Sequence, residues 1–365
     1  MRILLVSHEA SRSGAPRVAA MVARELVGDG HQVSVLSRAP GPLLADLAAA
    51  APTSVEPLHR VRHKLRRTRG FTRVAHLLDS ATAVLALLRR RPDLVYVNST
   101  AASVYLRPSL WLRIPAVLHV HESAEVATSF LTRDRAPEQL RGITLVACSP
   151  SVRDDLAGLT GRAVDEVTLL PSVPDHDLVT SLAQQPPDRP YVDDQLVVGC
   201  CGSVEHRKGA DLWVEAARRV RATSPGRDVR FVWLGDVADP VPGATEAGAE
   251  FVGPTANPYP HMRRFDVATL PSRDDPFPLV VLESMLLGTP VVAFDVGGVA
   301  EQVGDGGLVV PAEDVDAFAT AVGRLLDDAQ ERGRRGTLAA TRVETLFSSR
   351  TFADRLAELV STAAR

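Results

Sequence analysis

The sequence predicts an α/β protein built from two doubly wound parallel sheets. Three observations predict it: each half alternates short apolar runs with stretches of helical period, a Pro-rich polar run at 184–190 separates the halves, and 365 residues are too many for one ordinary core. In the first half, Arg2–Ser7 reads as a buried strand. Ala15–Val27 follows as a helix closed by Gly28 and Gly30, and Gln32–Ser37 as the next strand. Gly14 lies where strand hands over to helix, at the carboxyl end of the sheet where parallel sheets bind ligands. Further strands are expected at Leu94–Asn98, Ala116–His121, Thr144–Ala147 and Val167–Leu170. In the second half, strands at Leu196–Cys200, Val229–Leu234, Phe251–Val252, Val267–Leu270 and Val291–Phe294 alternate with helices at Ala210–Arg221, Leu279–Leu287 and Val315–Leu326. The expected domains are therefore 1–185 and 195–345, with an amphipathic C-terminal helix, 346–365, packing back on the first. Two such domains facing each other make a cleft, a common place for ligands.

Composition narrows the class. The chain is 45% hydrophobic and 23% charged, as soluble proteins are. The opening MRILLVSHEA lacks the pattern of a cleaved signal, and no apolar run approaches the roughly 20 residues that span a bilayer. Cys148, Cys200 and Cys201 have no metal spacing and read as reduced thiols of the cytoplasm. Charge is uneven. Residues 1–185 carry 22 Lys/Arg against 17 Asp/Glu, and the remainder 19 against 27. Much of the excess falls in residues 60–73, where Arg60, Arg62, Lys64, Arg66, Arg67, Arg69 and Arg73 meet no acid. Such a run fits peripheral contact with an anionic membrane, or equally a solvated Arg-rich helix. Nucleic acid is disfavoured, because only Phe71 interrupts these charges and no binding motif accompanies them.

The most informative segment runs from Asp275 to Glu283, two carboxylates with seven residues between them, followed by Gly288-Thr-Pro290. Leu279–Leu287 reads as a short buried helix with Pro278 in its first turn, Glu283 one turn inside and Asp275 in the preceding loop. The N–H groups of Leu279 and Val280 then face outward at the positive end of the helix dipole, where an anion can sit. On spacing alone the plainer account, a buried helix between a capping and a solvated acid, is favoured. Only two lysines occur, Lys64 and Lys208; the latter, in Arg207-Lys208-Gly209, is a compact cation suited to a phosphate oxygen.

Taken together, Gly202, Arg207-Lys208-Gly209, Phe231-Val-Trp-Leu-Gly235, the Asp275–Glu283 segment, Gly288-Thr-Pro-Val-Val-Ala293, Gly297-Gly298 with Glu301, and Gly306-Gly-Leu-Val-Val-Pro311 resemble the GT4-like retaining glycosyltransferases of GT-B architecture. The resemblance covers roughly residues 196–328. It is weaker in the first half, through Gly14-Ala-Pro16, His121-Glu122 and Ser149. It implies a GT-B fold and transfer of a sugar from a nucleotide-diphosphate sugar, with retention and without a metal or other cofactor. It assigns Glu283 to the ribose hydroxyls and Asp275 to the transferred sugar. Lys208 and Arg207 neutralise the leaving diphosphate, with Ser203, Leu279 and Val280 and the Gly14 loop lining the donor site. His121 lies on the acceptor side, and the acceptor is a glycan, a lipid-linked sugar or a small molecule.

Four positions depart from the family pattern. Asp275 replaces a usual Glu, Pro278 a usual Gly and Ser203 a common Arg, while Leu170-Pro-Ser-Val173 stands where Asn-Gly is frequent. These changes bear on donor identity and keep a nucleotide-sugar-binding pseudoenzyme as the rival reading. A sugar-nucleotide epimerase is a third, with a different acid constellation. Elsewhere, plain structural roles suffice. Asp314-Val-Asp316 reads as helix capping, Cys200-Cys201 and Trp213 as core, and His119 as a satisfied buried histidine.

Overall fold

The computed structural model describes residues 1–364 except 69–71, 135, 137–139, 193 and 238–239; for 62, 63, 66, 67, 72 and 73 it describes the backbone alone. The chain divides into two compact units, Met1–Ser172 with Phe352–Arg365, and Val173–Thr351. The linker 184–190 therefore lies inside the second unit. There Asn257 donates to the Leu182 carbonyl and the Gln185 side chain, each at 3.0 Å, and His261 bonds Asp188 at 2.7 Å.

The first unit winds β1 (Arg2–Ser7), α1 (Gly14–Gly28), β2 (Gln32–Ser37), α2 (Leu44–Ala50), β3 (Thr53–Val55), α3 (His59–Arg67), α4 (Thr72–Arg90), β4 (Leu94–Asn98), α5 (Leu106–Trp111), β5 (Ala116–Val120), α6 (Ala124–Arg133), β6 (Thr144–Ala147), α7 (Pro150–Thr160) and β7 (Thr168–Leu169) into one sheet of order β3-β2-β1-β4-β5-β6-β7. Every pairing in it is parallel. Such a sheet is covered on both faces, so its central strands are near-continuous apolar runs, as in Ile3–Val6 and Leu94–Val97, all at most 1% exposed. The strand order reverses between β1 and β4, the kind of place at which open parallel sheets bind ligands.

The second unit contains α8 (His176–Leu182), β8 (Leu196–Cys201), α9 (Ala210–Thr223), β9 (Val229–Leu234), β10 (Ala249–Phe251), α10 (Tyr259–Met262), β11 (Val267–Leu270), α11 (Leu279–Leu286), β12 (Val291–Phe294), α12 (Val299–Val303), β13 (Gly307–Val310), α13 (Val315–Asp327) and α14 (Ala329–Leu346), before α15 (Ser349–Ala363). Its parallel sheet runs β10-β9-β8-β11-β12-β13, and the order reverses between β8 and β11. Trp213 stands edge-on to Phe231 and Trp233, with ring centroids 5.8 and 5.3 Å away, in the core between α9 and the sheet. Its indole N–H reaches Thr269 Oγ1 at 3.0 Å, and that hydroxyl donates to the Gly199 carbonyl, so both buried polar groups are satisfied. Asp314 caps α13 by accepting from Ala317 N at 2.9 Å.

Among the described residues no helix is long and apolar enough to cross a membrane. None of the three cysteines is in a disulfide. Of the basic run, Arg60 and Lys64 are exposed, whereas Arg69 and Phe71 and the side chains of Arg62, Arg66, Arg67 and Arg73 lie outside the described residues.

Candidate active site

Both strand-order reversals collect polar side chains, and each unit carries its own constellation. In the second unit, the loop after β8 turns through Gly202 and a short helical turn, His206–Lys208, into Gly209. Gly209 is left-handed, at φ +73, and a Cβ there would stand 1.9 Å from the Pro271 carbonyl oxygen. Only glycine lets the Lys208 loop press against the segment that follows β11. The result is an ion pair: Lys208 Nζ donates to Asp275 Oδ2 at 2.5 Å, with the two side chains 18% and 9% exposed. Asp275 is itself clamped from behind. A Cβ on Gly297 would lie 2.2 Å from the Asp275 carbonyl oxygen, and Gly298 N donates to the Pro276 carbonyl at 2.9 Å.

Pro278 is not in the first helical turn, as the sequence suggested, but just before it. Its ψ of 118° is extended, and its carbonyl accepts from Val281 N at 3.2 Å and from Gln302 Nε2 at 3.1 Å. Leu279 and Val280 thus open α11 ahead of its first backbone bond, with their N–H groups beyond the reach of the intrahelical ladder. Glu283 comes one turn later, 3% exposed, and its Oε1 accepts from the Tyr259 hydroxyl at 3.2 Å. Arg207 spreads its guanidinium between the Asp274 carbonyl and Glu205, both at 2.9 Å, and Ser203 also donates to Glu205 at 3.3 Å. The structure therefore gathers Lys208, Asp275, Leu279, Val280 and Glu283 on the carboxyl side of β8 and β11. Arg207 and Ser203 are gathered there too, but each engages a partner, Glu205, that sequence reasoning did not single out. Tyr259 was missed likewise. No motif marks it, because it reaches Glu283 from a four-residue helix.

In the first unit, His121 follows β5, and its Nε2 lies 3.2 Å from Asn98 Oδ1 at the end of β4. Asn98 Nδ2 in turn donates to the Ala15 carbonyl at 2.7 Å, tying His121 to the start of α1. Beside it, Glu122 accepts from Ser99 Oγ, from Thr100 N at 3.3 Å and from His121 N at 3.1 Å. Ser99 is held at φ +119, a backbone state that costs a non-glycine residue about 1–3 kcal/mol and persists only where surroundings enforce it. The Glu122 carboxylate and the bond from Ser99 N to the His119 carbonyl, 2.9 Å, are that enforcement. Ser149, which the resemblance had drawn in, is the cap of α7 and accepts from Val152 N at 3.2 Å.

His119 has both ring nitrogens engaged, by the Tyr96 hydroxyl at 2.9 Å and the Leu170 carbonyl at 3.2 Å, and burial pushes its pKa down to about 3. His121, its ring centroid 4.1 Å from that of His119, is held well below the ordinary histidine value, first by burial and then by the His119 and His8 imidazoles. Both are neutral at pH 7. Because these folded-state values lie below the unfolded one, the unfolded chain takes up more protons between about pH 6.5 and 3, and stability falls as pH falls through that window. Urea midpoints measured from pH 7.5 down to 5.5, above the carboxylate range, are expected to drop, and His119→Gln to flatten the drop. A profile flat in the unsubstituted chain would contradict this assignment.

Gly14 begins α1, and a Cβ there would meet nothing within 4 Å. The fold does not demand glycine at this position. Gly14→Ala is expected to leave the thermal midpoint unchanged or slightly raised, and to lower kcat/KM if a ligand approaches the loop; unchanged kinetics would remove Gly14 from the site. Among the described residues, no group of three or more His, Cys, Asp or Glu is placed to hold a metal ion.

Two Rossmann-like units with polar clusters at their strand-order reversals define the GT-B class of glycosyltransferases. The chain belongs to the GT4-like group of these enzymes: the family of group 1 glycosyl transferases matches residues 195–328, and glycosyltransferase family 4 matches residues 12–177. It is 28% identical to a glycogen synthase of Mycobacterium tuberculosis, across 100% of this chain and 95% of that protein. A D-inositol 3-phosphate glycosyltransferase of Stackebrandtia nassauensis is 30% identical over 60% of this chain and 57% of its own. Among solved structures, Anabaena Alr3699/HepE in complex with UDP-glucose superposes with a TM-score of 0.78 at 22% identity, covering 99% of this chain and 100% of that one.

Proposed function

We propose that this glycosyltransferase takes its sugar from a nucleotide-diphosphate sugar and passes it to a hydroxyl acceptor with retention of configuration, without a resident metal. The observation that carries the reading is the Lys208–Asp275 pair at the strand-order reversal, beside the open start of α11 and one helical turn from Glu283. The pair suits the task better than either residue alone. Asp275 spends Oδ2 on the ammonium and keeps Oδ1 for a sugar hydroxyl. Lys208 keeps two N–H donors for diphosphate oxygens, fixed in place rather than swinging on a flexible stem. Charge accumulates on the diphosphate as the glycosidic bond breaks, so a cation held there lowers the barrier rather than only tightening binding. The Leu279 and Val280 amides add fixed dipoles, and Glu283, oriented by Tyr259, accepts from ribose hydroxyls. Arg207 supports the same diphosphate once it leaves Glu205, with Ser203 on the same loop, and the Gly14 loop is also assigned to donor binding. His121, neutral and anchored by Asn98, serves the acceptor side. The Anabaena protein holding UDP-glucose supports a nucleotide-sugar donor.

The engagement of Lys208 by Asp275 and of Arg207 by Glu205 also favours a second reading, a nucleotide-sugar-binding protein without turnover. One experiment separates the two: a panel of nucleotide-sugars with an acceptor extract, scored for nucleoside diphosphate release, with the anomer of the product read by NMR. Release with a retained anomer is expected. Binding without release from any donor would establish the pseudoenzyme, and an inverted anomer would overturn retention.

A further inference from the structure

The outer face of α4 is apolar and uncovered. Val74, Leu77, Leu85 and Leu88 are 44%, 69%, 51% and 52% exposed, and Ala81 between them is exposed too. At 100° per residue these five positions fall within an arc of about 80° and run about 21 Å along the helix. The opposite face is buried at Ala75, Asp79, Ala83, Ala86 and Leu87. A stripe that narrow and regular is the apolar half of an amphipathic helix, on the side away from the core.

The sequence around it is of nearly one sign, and the acids packed against it, Glu56 and Asp134, are buried. From Pro57 to Pro92 the sequence holds ten Lys/Arg and a single acid, Asp79. Asp79 is fully buried and accepts from Arg38 at 3.0 Å, so it contributes no negative charge to the surface. Exposed Arg60 and Lys64 come from α3, which packs on α4, and exposed Arg89 and Arg91 stand at the C-terminal end of the stripe. Leu85, Arg89 and Arg90 also line a groove at that end.

We propose that α4 lies on an anionic phospholipid bilayer, with the Val74–Leu88 stripe in the interface and the flanking Arg and Lys on lipid phosphates. Apolar burial and attraction to anionic headgroups combine in this way for helices that rest on membranes without spanning them. A second copy of the chain fits the face poorly, since pairing it with itself would bring arginines against arginines. The inference stands apart from the donor assignment and concerns where the enzyme works.

The test is co-sedimentation of the full chain with vesicles of phosphatidylcholine, alone or containing phosphatidylglycerol, at low and high salt. Binding is expected to require the anionic lipid, to weaken with salt, and to fall by about tenfold in L77Q–L85Q, which removes apolar side chains without changing charge. Both leucines are exposed, so an unchanged thermal midpoint should show the variant folded. Should it aggregate, R60E–R89E probes the same surface by charge and is expected to abolish binding. The proposal fails if anionic vesicles do not bind at low salt, or if neither variant weakens binding. It fails also if the chain forms a dimer that L77Q–L85Q dissolves, which would assign the face to a second copy.

Discussion

Lys208→Met is expected to lower kcat by about a hundredfold or more, the scale on which enzymes lose rate when one preorganised charge stabiliser is removed. It also leaves the Asp275 side chain, 9% exposed, without its cation. Breaking a buried pair from one side costs about 3–5 kcal/mol, and this partly exposed pair belongs at the lower end of that range. A loss of activity alone would therefore be ambiguous. The double variant K208M–D275N resolves it, because a neutral amide needs no cation. Its thermal midpoint is expected to return toward that of the unsubstituted enzyme while kcat stays low. Recovery of kcat together with stability would show that the pair only holds two loops together.

Glu283→Gln is expected to act on binding instead. A neutral amide keeps the shape and the Tyr259 contact but loses the charge that strengthens bonds from two ribose hydroxyls. Charge-assisted bonds contribute about 1.5–3 kcal/mol, so KM for the donor is expected to rise about tenfold to a hundredfold with kcat little changed, since ribose is held alike in ground and transition states. Tyr259→Phe removes only the orienting hydroxyl and is expected to give a smaller rise in KM. Equal kinetics for E283Q and the parent enzyme would place the ribose elsewhere.

The two sheets were legible in the sequence because parallel strands buried on both faces are nearly uninterrupted apolar runs. Arg2–Ser7, Gln32–Ser37, Leu94–Asn98, Thr144–Ala147, Val229–Leu234, Val267–Leu270 and Val291–Phe294 fall where the pattern put them. β3 escaped, being three residues long at a sheet edge, and Gly307–Val310 was read as a motif rather than as the strand β13. α14 escaped because its sequence is mostly polar, with Gly336, Ala339 and Val343 as its buried residues. At the site, residue types and spacing located Lys208, Asp275 and Glu283, but spacing says nothing of who bonds whom. The sequence suggested two separate tasks for Lys208 and Asp275, whereas the fold makes them one ion pair. Asn98, Glu205 and Tyr259 were invisible because each reaches its partner across the fold or from a turn with no periodic signature. The apolar side of α4 was present in the sequence as a helical period, yet only burial shows that the stripe faces outward.

The most direct test of the proposed donor site is amide hydrogen exchange with and without a nucleoside diphosphate, the product that the proposed reaction would release. The Leu279 and Val280 N–H groups precede the first helical bond of α11, so they exchange readily until an anion accepts from them. Added diphosphate is expected to slow exchange in the peptides carrying His206–Gly209 and Asp275–Val281, and to do so much less in K208M. Diphosphate binding that leaves both segments unchanged would contradict the assignment of this site.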